Sequence, residues 1–163
     1  MPALSFAQSQ AHQHGVLKLD IAVEARKLSL QMQSPLDNLV GFERAPRNEA
    51  ERSRVDAALA KLKAGQTLFT IDPAAQCSLA RVELTSGVLK LGPAAPAGKT
   101  SEHADIDAVF DFDCQDAARA TFVDVALFDA FAGMKQIDVQ VATPTGQRKQ
   151  TLKRPAKRVT LTR

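Results

Sequence analysis

The segment Glu102-His-Ala-Asp-Ile-Asp-Ala-Val-Phe-Asp-Phe-Asp-Cys114 alternates between apolar and polar side chains along most of its length. Successive side chains of a strand point to opposite faces of a sheet, so His103, Asp105 and Asp107 would share one face. The opposite face would carry only apolar side chains, namely Ile106, Ala108, Phe110, Phe112 and Cys114. This alternation is typical of a half-buried antiparallel strand. The segment therefore predicts a sheet with one face packed on a core.

The same two-residue period recurs elsewhere in the chain. Aliphatic side chains alternate with polar ones from residue 16, and the pattern resumes after a short turn, so residues 16–33 predict a hairpin. Further strands are predicted at residues 67–71, 78–91, 103–113, 122–128, 137–142, 147–152 and 158–162. Strands thus dominate the predicted fold.

One helix is predicted at about residues 48–64. Asn48 and Glu51 have the spacing of a capping box, and apolar side chains recur at helical intervals from Val55 to Leu62. Short helical turns are predicted at 36–42, 116–120 and 128–133. The predicted fold class is therefore α+β, with a mainly antiparallel sheet in a single domain.

The length of 163 residues and the 45% hydrophobic content suit one domain with a real core. We expect residues 14–163 to form that domain and residues 1–13 to be a flexible N-terminal segment. Ser5-Phe6-Ala7 before Gln8 resembles the small-residue end of a cleaved secretory signal. No apolar run is long enough to span a bilayer.

The formal net charge of +3 is unevenly distributed. Residues 147–163 hold seven of the 21 basic residues and no acidic one, which leaves 14 basic against 18 acidic residues in the rest of the chain. This basic end is either a solvated surface or a contact for a membrane or an acidic partner. The chain has no Trp or Tyr to stack on bases, so nucleic acid is not predicted as a partner.

Cys77 and Cys114 are the only cysteines, and their spacing fits neither a zinc knuckle nor a redox motif. We predict a disulfide between them, which would place the chain in an oxidising, extracytoplasmic compartment. The alternative is two separately buried thiols.

The three histidines of the chain predict a metal site. His12 and His14 lie two residues apart, and His103 begins the acidic strand. Together with one carboxylate from Glu102, Asp105 or Asp107 they would complete the tetrahedral shell that zinc prefers. As alternatives, His12 and His14 belong to a mobile end, His103 is an ordinary polar residue at a strand start, and the aspartates form the solvent face of an edge strand.

Enzyme motifs are missing from the sequence. It contains no nucleophile elbow, no phosphate-binding glycine loop and no His-Glu-x-x-His helix. No catalytic activity is predicted.

Several segments together resemble the periplasmic zinc-uptake accessory family that includes ZrgA. The most specific are Asn38-Leu-Val-Gly-Phe-Glu43 and His103-Ala-Asp-Ile106. Supporting segments are His12-Gln-His14-Gly15, Ser34-Pro-Leu-Asp37, Arg44-Ala-Pro46, the Cys77 region, Leu127-Phe128 with Phe131 and Gly133, and residues 139–147. They follow the order of the family and cover most of the chain.

The resemblance implies a soluble periplasmic protein that binds zinc and assists a high-affinity importer. The implied partners are the zinc ion and the importer or its binding protein. The implied ligands are His12, His14 and His103, with Glu43, Asp105 and Asp107 as helpers. Imidazole and carboxylate also suit Ni, Cu or Co, so other divalent metals stay open.

Two departures from the family pattern lower the expected number of bound ions. Family members commonly carry a His- and Asp-rich loop before the acidic strand, and here residues 92–101 contain no histidine. Many also have His where this chain has Arg44. Two alternatives therefore remain, a non-catalytic periplasmic interaction module with lost or weak metal binding and, third, a metal-dependent hydrolase.

Overall fold

The structure is a computed structural model, and it describes residues 13–93 and 104–162. These residues form nine strands: β1 (Val16–Val23), β2 (Lys27–Pro35), β3 (Phe69–Ile71), β4 (Cys77–Thr85), β5 (Asp105–Cys114), β6 (Phe122–Val125), β7 (Gln136–Thr143), β8 (Gly146–Lys153) and β9 (Arg158–Thr160). They also form four α-helices: α1 (Asp37–Val40), α2 (Glu49–Lys63), α3 (Gly65–Leu68) and α4 (Leu127–Ala130). The α+β prediction is confirmed.

Six strands make one large sheet in the order β4-β5-β2-β1-β7-β8. The β1–β2 hairpin predicted from the alternation is present, with Val23 opposite Leu28. Every neighbouring pair in this sheet is antiparallel except β1 and β7, which are parallel. The sheet is therefore mainly antiparallel, as predicted, with one long-range parallel pair among its inner strands.

The apolar face of the large sheet is covered by the small sheet β3-β6-β9 and by the helices. Phe110 of β5 meets Phe69 of β3 edge to face, with ring centroids 4.9 Å apart, and both rings are almost fully buried. Burying each such side chain stabilises the fold by roughly 1.5–3 kcal/mol. Helix α2 adds Val55 and Leu62 to the same core.

Strand β5 confirms the predicted alternation. Ile106, Ala108, Phe110, Phe112 and Cys114 are all buried. The edge-strand alternative is wrong, because β5 lies between β4 and β2.

The alternative interpretation, in which the aspartates form a row that faces solvent, is also wrong for Asp111, because this side chain is buried. Its carboxylate accepts a 2.6 Å hydrogen bond from Ser29 of β2 and lies 3.0 Å from the guanidinium of Arg81 on β4. These neighbours, with the Ser29 hydrogen bond first, lower the pKa of Asp111. An interior strand has partners on both sides, and their side chains cover this carboxylate.

Helix α2 begins as predicted, with the Asn48 side chain accepting a hydrogen bond from the Glu51 amide at 2.9 Å. Four predicted strands are shorter than expected, those at 67–71, 78–91, 122–128 and 158–162. Residues 65–68 form α3 ahead of β3, and residues 127–130 form α4 after β6. Each helix buries a leucine against the core, Leu68 in α3 and Leu127 in α4.

The Cys77–Cys114 disulfide is present. It joins residues that face each other across the β4–β5 ladder, at the end where β5 finishes. The basic C-terminal segment is partly tied into the fold. Arg154 donates to the carbonyl oxygens of Phe131 and Met134 at 3.1 Å. Among the described residues, no helix is long and apolar enough to cross a membrane.

Candidate metal centre

His14, Asp37 and Glu43 come together at one end of the large sheet, where β1 begins and β2 ends. Strand β2 runs through Leu36 into the single turn of α1, which carries Asp37. Gly41 then ends the turn with a left-handed φ of 89°, a conformation that favours glycine. The chain reverses there and brings Glu43 next to His14.

Asn38 fixes the two halves of the site relative to each other. It is 3% exposed, and its side-chain oxygen accepts from the Gly15 amide at 2.7 Å. Its side-chain nitrogen donates to the Val16 carbonyl at 3.0 Å and to the Ser34 hydroxyl at 3.2 Å. Since Gly15 follows His14 and Asn38 follows Asp37, this buried amide holds the histidine and the aspartate side by side.

Gly15 adds a second constraint on the position of His14. Its φ is 83°, and a Cβ at this position would lie 3.0 Å from the Lys135 side chain. Its carbonyl accepts from the amides of Lys135 and Gln136, which anchors it to the start of β7. The residue that follows His14 is thus held by α1 on one side and β7 on the other.

The donor atoms of the three residues form a compact group. The Nδ1 atom of His14 contacts an Asp37 carboxylate oxygen and lies 3.6 Å from a Glu43 carboxylate oxygen. One donor atom from each residue lies within 4.8 Å of the others. Donors bound to one tetrahedral zinc lie about 3.3 Å apart at bond lengths of about 2.0–2.1 Å. Small side-chain rotations would close the difference, and the His14 side chain is 74% exposed.

Asp37 is the most enclosed of the three side chains, at 21% exposed against 43% for Glu43. Its second carboxylate oxygen, Oδ1, is buried and has no hydrogen-bond partner among the residues that the structure describes. Buried carboxylate oxygens normally have a donor or a cation beside them. The unpartnered oxygen therefore fits a cation that approaches this carboxylate.

The two carboxylates raise the pKa of His14 above its ordinary value. The largest cause is the hydrogen bond with Asp37, followed by the negative charge of Asp37 and then that of Glu43. This corner of the molecule thus attracts positive charge, whether a proton or a metal ion. The two compete, because a metal needs the neutral imidazole.

Asp37 has two ways to support a bound metal. It can supply a carboxylate oxygen directly, next to Nδ1 of His14. Alternatively it can orient the ring by accepting from Nδ1–H, so that Nε2 becomes the ligand, as in many carboxylate–histidine–zinc arrangements. Both require the observed contact between His14 and Asp37.

Of the residues proposed from the sequence, the structure brings together His14 and Glu43. His12 and His103 lie outside the described residues. Asp105 pairs with Pro35 at the start of β5, close in register to α1, and Asp107 pairs with Gln33 further along. Within the described ranges neither aspartate belongs to the His14 cluster.

Sequence reasoning missed Asp37, although it lies within a segment that was quoted for the family resemblance. Its only local signal is position, in the first turn of a short helix six residues before Glu43. Its role depends on the long-range contact that Asn38 makes with Gly15.

The comparison with protein families identifies a match over most of the chain. Residues 11–161 match the model for the ZrgA family zinc uptake protein. No curated protein matches the chain. The family match includes all three residues of the cluster and both cysteines. Since it spans nearly the whole sequence, this chain belongs to the ZrgA family of zinc uptake proteins.

Proposed function

We propose that this protein is a periplasmic zinc-binding protein that carries zinc at His14, Asp37 and Glu43 and assists a zinc importer. The observation that carries the proposal is the cluster of one imidazole and two carboxylates with a buried, unpartnered oxygen on Asp37. Membership of a zinc uptake family supports zinc as the cargo. The disulfide supports an oxidising compartment such as the periplasm.

The exposure of the cluster suits a carrier better than a structural zinc site. Structural zinc is normally held by four closed ligands, often cysteine and histidine. Here the histidine is 74% exposed, and three donors leave at least one position of a tetrahedral ion open. An open position lets an acceptor protein reach the ion and take it over.

His12 and His103 remain predicted additional ligands. His12 is two residues before His14 in the sequence. His103 precedes Ala104, whose carbonyl accepts a 2.8 Å hydrogen bond from Leu36 at the start of α1. Either imidazole would complete a shell that mixes nitrogen and oxygen donors.

A zinc titration by calorimetry on metal-free protein tests the proposal. The wild type is expected to bind with a Kd of about 1 μM or tighter, which corresponds to roughly −8 kcal/mol. His14→Ala, Asp37→Asn and Glu43→Gln are each expected to weaken binding by about tenfold or more.

Asp113→Asn is the matched control, because Asp113 is an exposed carboxylate at the opposite end of β5, where it pairs with Lys27. It removes one negative charge without touching the cluster, so zinc affinity should be unchanged. A wild type without binding near 1 μM, or a His14→Ala variant that binds as tightly as wild type, would overturn the proposal. Hydrolysis of a model ester that stops on adding a chelator would instead identify a zinc hydrolase.

A further inference from the structure

A network of hydrogen bonds ties the loop that carries Glu43 to helix α2. The Glu51 carboxylate, in the first turn of α2, accepts hydrogen bonds from both terminal nitrogens of the Arg44 guanidinium, each at 2.7 Å. It also accepts from the Arg47 amide at 2.7 Å. A single carboxylate thus ties two positions of the loop to α2.

Arg44 makes two further contacts within the loop. Its guanidinium lies over the Phe42 ring, 5.0 Å from the centroid, and donates to the Ala45 carbonyl at 3.2 Å. Phe42 itself packs against the hydrophobic core. Arg44 therefore links the residue before Glu43 to the helix beyond it. We call the contacts among Phe42, Arg44 and Glu51 the loop brace.

Glu43 has little else to hold it. Its side chain is 43% exposed, and its carboxylate forms no hydrogen bond with any residue that the structure describes, only the 3.6 Å approach to His14. An exposed glutamate on an unconstrained loop would lose rotamer and backbone freedom on binding a metal. The brace fixes the backbone on both sides of Glu43 before the ion arrives.

We propose that Arg44 is a positioning residue, which keeps Glu43 facing His14 through the loop brace and so strengthens zinc binding. This inference rests on the proposed function, because it assumes that Glu43 contributes to the zinc site. It assigns a role to the arginine that stands directly after the candidate ligand.

The sign of the effect separates positioning from simple electrostatics. Arg44 is a permanent cation next to a site for another cation, so by charge alone its removal should tighten zinc binding. Removal of a positioning residue should weaken it, by about tenfold or more as for other groups that orient a ligand. The two explanations therefore predict opposite changes.

The experiment is a double-mutant cycle in zinc affinity, measured by calorimetry on wild type, Arg44→Gln, Glu43→Gln and the double variant. Arg44→Gln is expected to weaken zinc binding about tenfold in the wild-type background. In the Glu43→Gln background the same change is expected to cause no further loss, because no Glu43 carboxylate remains to be positioned.

Arg158→Gln is a matched control of the same chemistry elsewhere. Arg158 forms a two-nitrogen ion pair with Asp124, at 2.8 and 2.9 Å, and stacks on Phe122 at 3.8 Å. Thermal unfolding of both arginine variants should show similar, small decreases in midpoint temperature, since each loses one partly exposed ion pair. Only Arg44→Gln should change the affinity for zinc.

The outcomes are distinguishable. A wild type that takes no zinc overturns the proposed function and this inference together. A wild type that binds zinc, with Arg44→Gln binding equally or more tightly, overturns the positioning role alone. An equal loss in both backgrounds overturns it too, because the effect would then not pass through Glu43.

Discussion

Reduction of the Cys77–Cys114 bond should remove a large part of the stability of this domain. The bond joins β4, which is an edge strand of the large sheet, to β5 next to it. The bonded residues are 37 positions apart. In the loop-entropy model, a disulfide that closes a loop of this length lowers the conformational entropy of the unfolded chain and so stabilises the fold by about 4 kcal/mol at 25 °C. Reduction removes this stabilisation. Domains of this size have only about 5–15 kcal/mol of stability in total.

Urea unfolding of the same chain with and without a reductant measures this loss without substituting any residue. Cys77 is only partly buried, so a reductant can reach the bond. The slope of unfolding free energy against urea should also rise, because the reduced unfolded chain is less compact and exposes more surface. The transition midpoint should fall in parallel.

A variant with both cysteines changed to alanine is the control, because its unfolding should not respond to the reductant. A loss below about 1 kcal/mol on reduction of the wild type would refute the reasoning. It would mean that the unfolded chain keeps β4 and β5 close without the bond, or that the bond strains the native sheet.

Three further predictions concern the site and the sheet. Zinc affinity should fall as pH is lowered from 8 to 5.5, because protons compete with zinc for the His14 imidazole. The fall should reach about tenfold per pH unit below the raised pKa of His14. Calorimetry at several pH values measures this, and an affinity that does not change with pH would contradict it. Asn38→Ala should lower the free energy of unfolding in urea by about 2–4 kcal/mol, because it leaves the Gly15 amide without its acceptor and removes the donor to the Val16 carbonyl and the Ser34 hydroxyl. A loss under about 0.5 kcal/mol would contradict the role of Asn38 in holding the two halves of the site together. Asp111→Ala should lower the free energy of unfolding by about 1–3 kcal/mol at pH 7. Because folding lowers the pKa of Asp111 from 3.8, its carboxylate stabilises the fold above that pH. The difference in stability from wild type should therefore shrink as the pH falls below 3.8. Acid titration of both proteins by circular dichroism would reveal a constant difference if that reasoning is wrong.

Much of the fold follows from local pattern. The alternation in β5 and in the β1–β2 hairpin is a short-range signal, because the polarity of each residue indicates which face of the sheet its side chain occupies. The start of α2 at Asn48 is equally local, since the capping side chain and its amide partner lie three residues apart. Such features are determined within one turn or one strand, so a single sequence reveals them.

Several features that sequence reasoning missed are long-range. The parallel pairing of β1 with β7 joins residues about 120 positions apart, and the residue pattern of neither strand identifies the strand it pairs with. Burial of Asp111 depends on Ser29 and Arg81 from two other strands. In the sequence, Asp37 is an ordinary aspartate in the first turn of a helix. Its position beside His14 depends on the long-range hydrogen bond from the Gly15 amide to Asn38.

The topology places the candidate site and the connection between β4 and β5 at the same end of the large sheet. Strand β4 ends at Thr85, opposite Asp107, and β5 starts at Asp105, opposite Pro35, so the β4–β5 connection leaves and re-enters the sheet at the same end as α1. The disulfide lies at the other end of β5, about 30 Å away for a strand of ten residues. His14, Asp37 and Glu43 are held by the β1 start, α1 and the loop brace, and the Leu36 amide at the start of α1 donates a 2.8 Å hydrogen bond to the carbonyl of Ala104, which directly precedes β5. The described end of this connection is thus hydrogen-bonded to the start of the helix that carries Asp37, whereas the disulfide holds β4 and β5 together at the far end of the sheet.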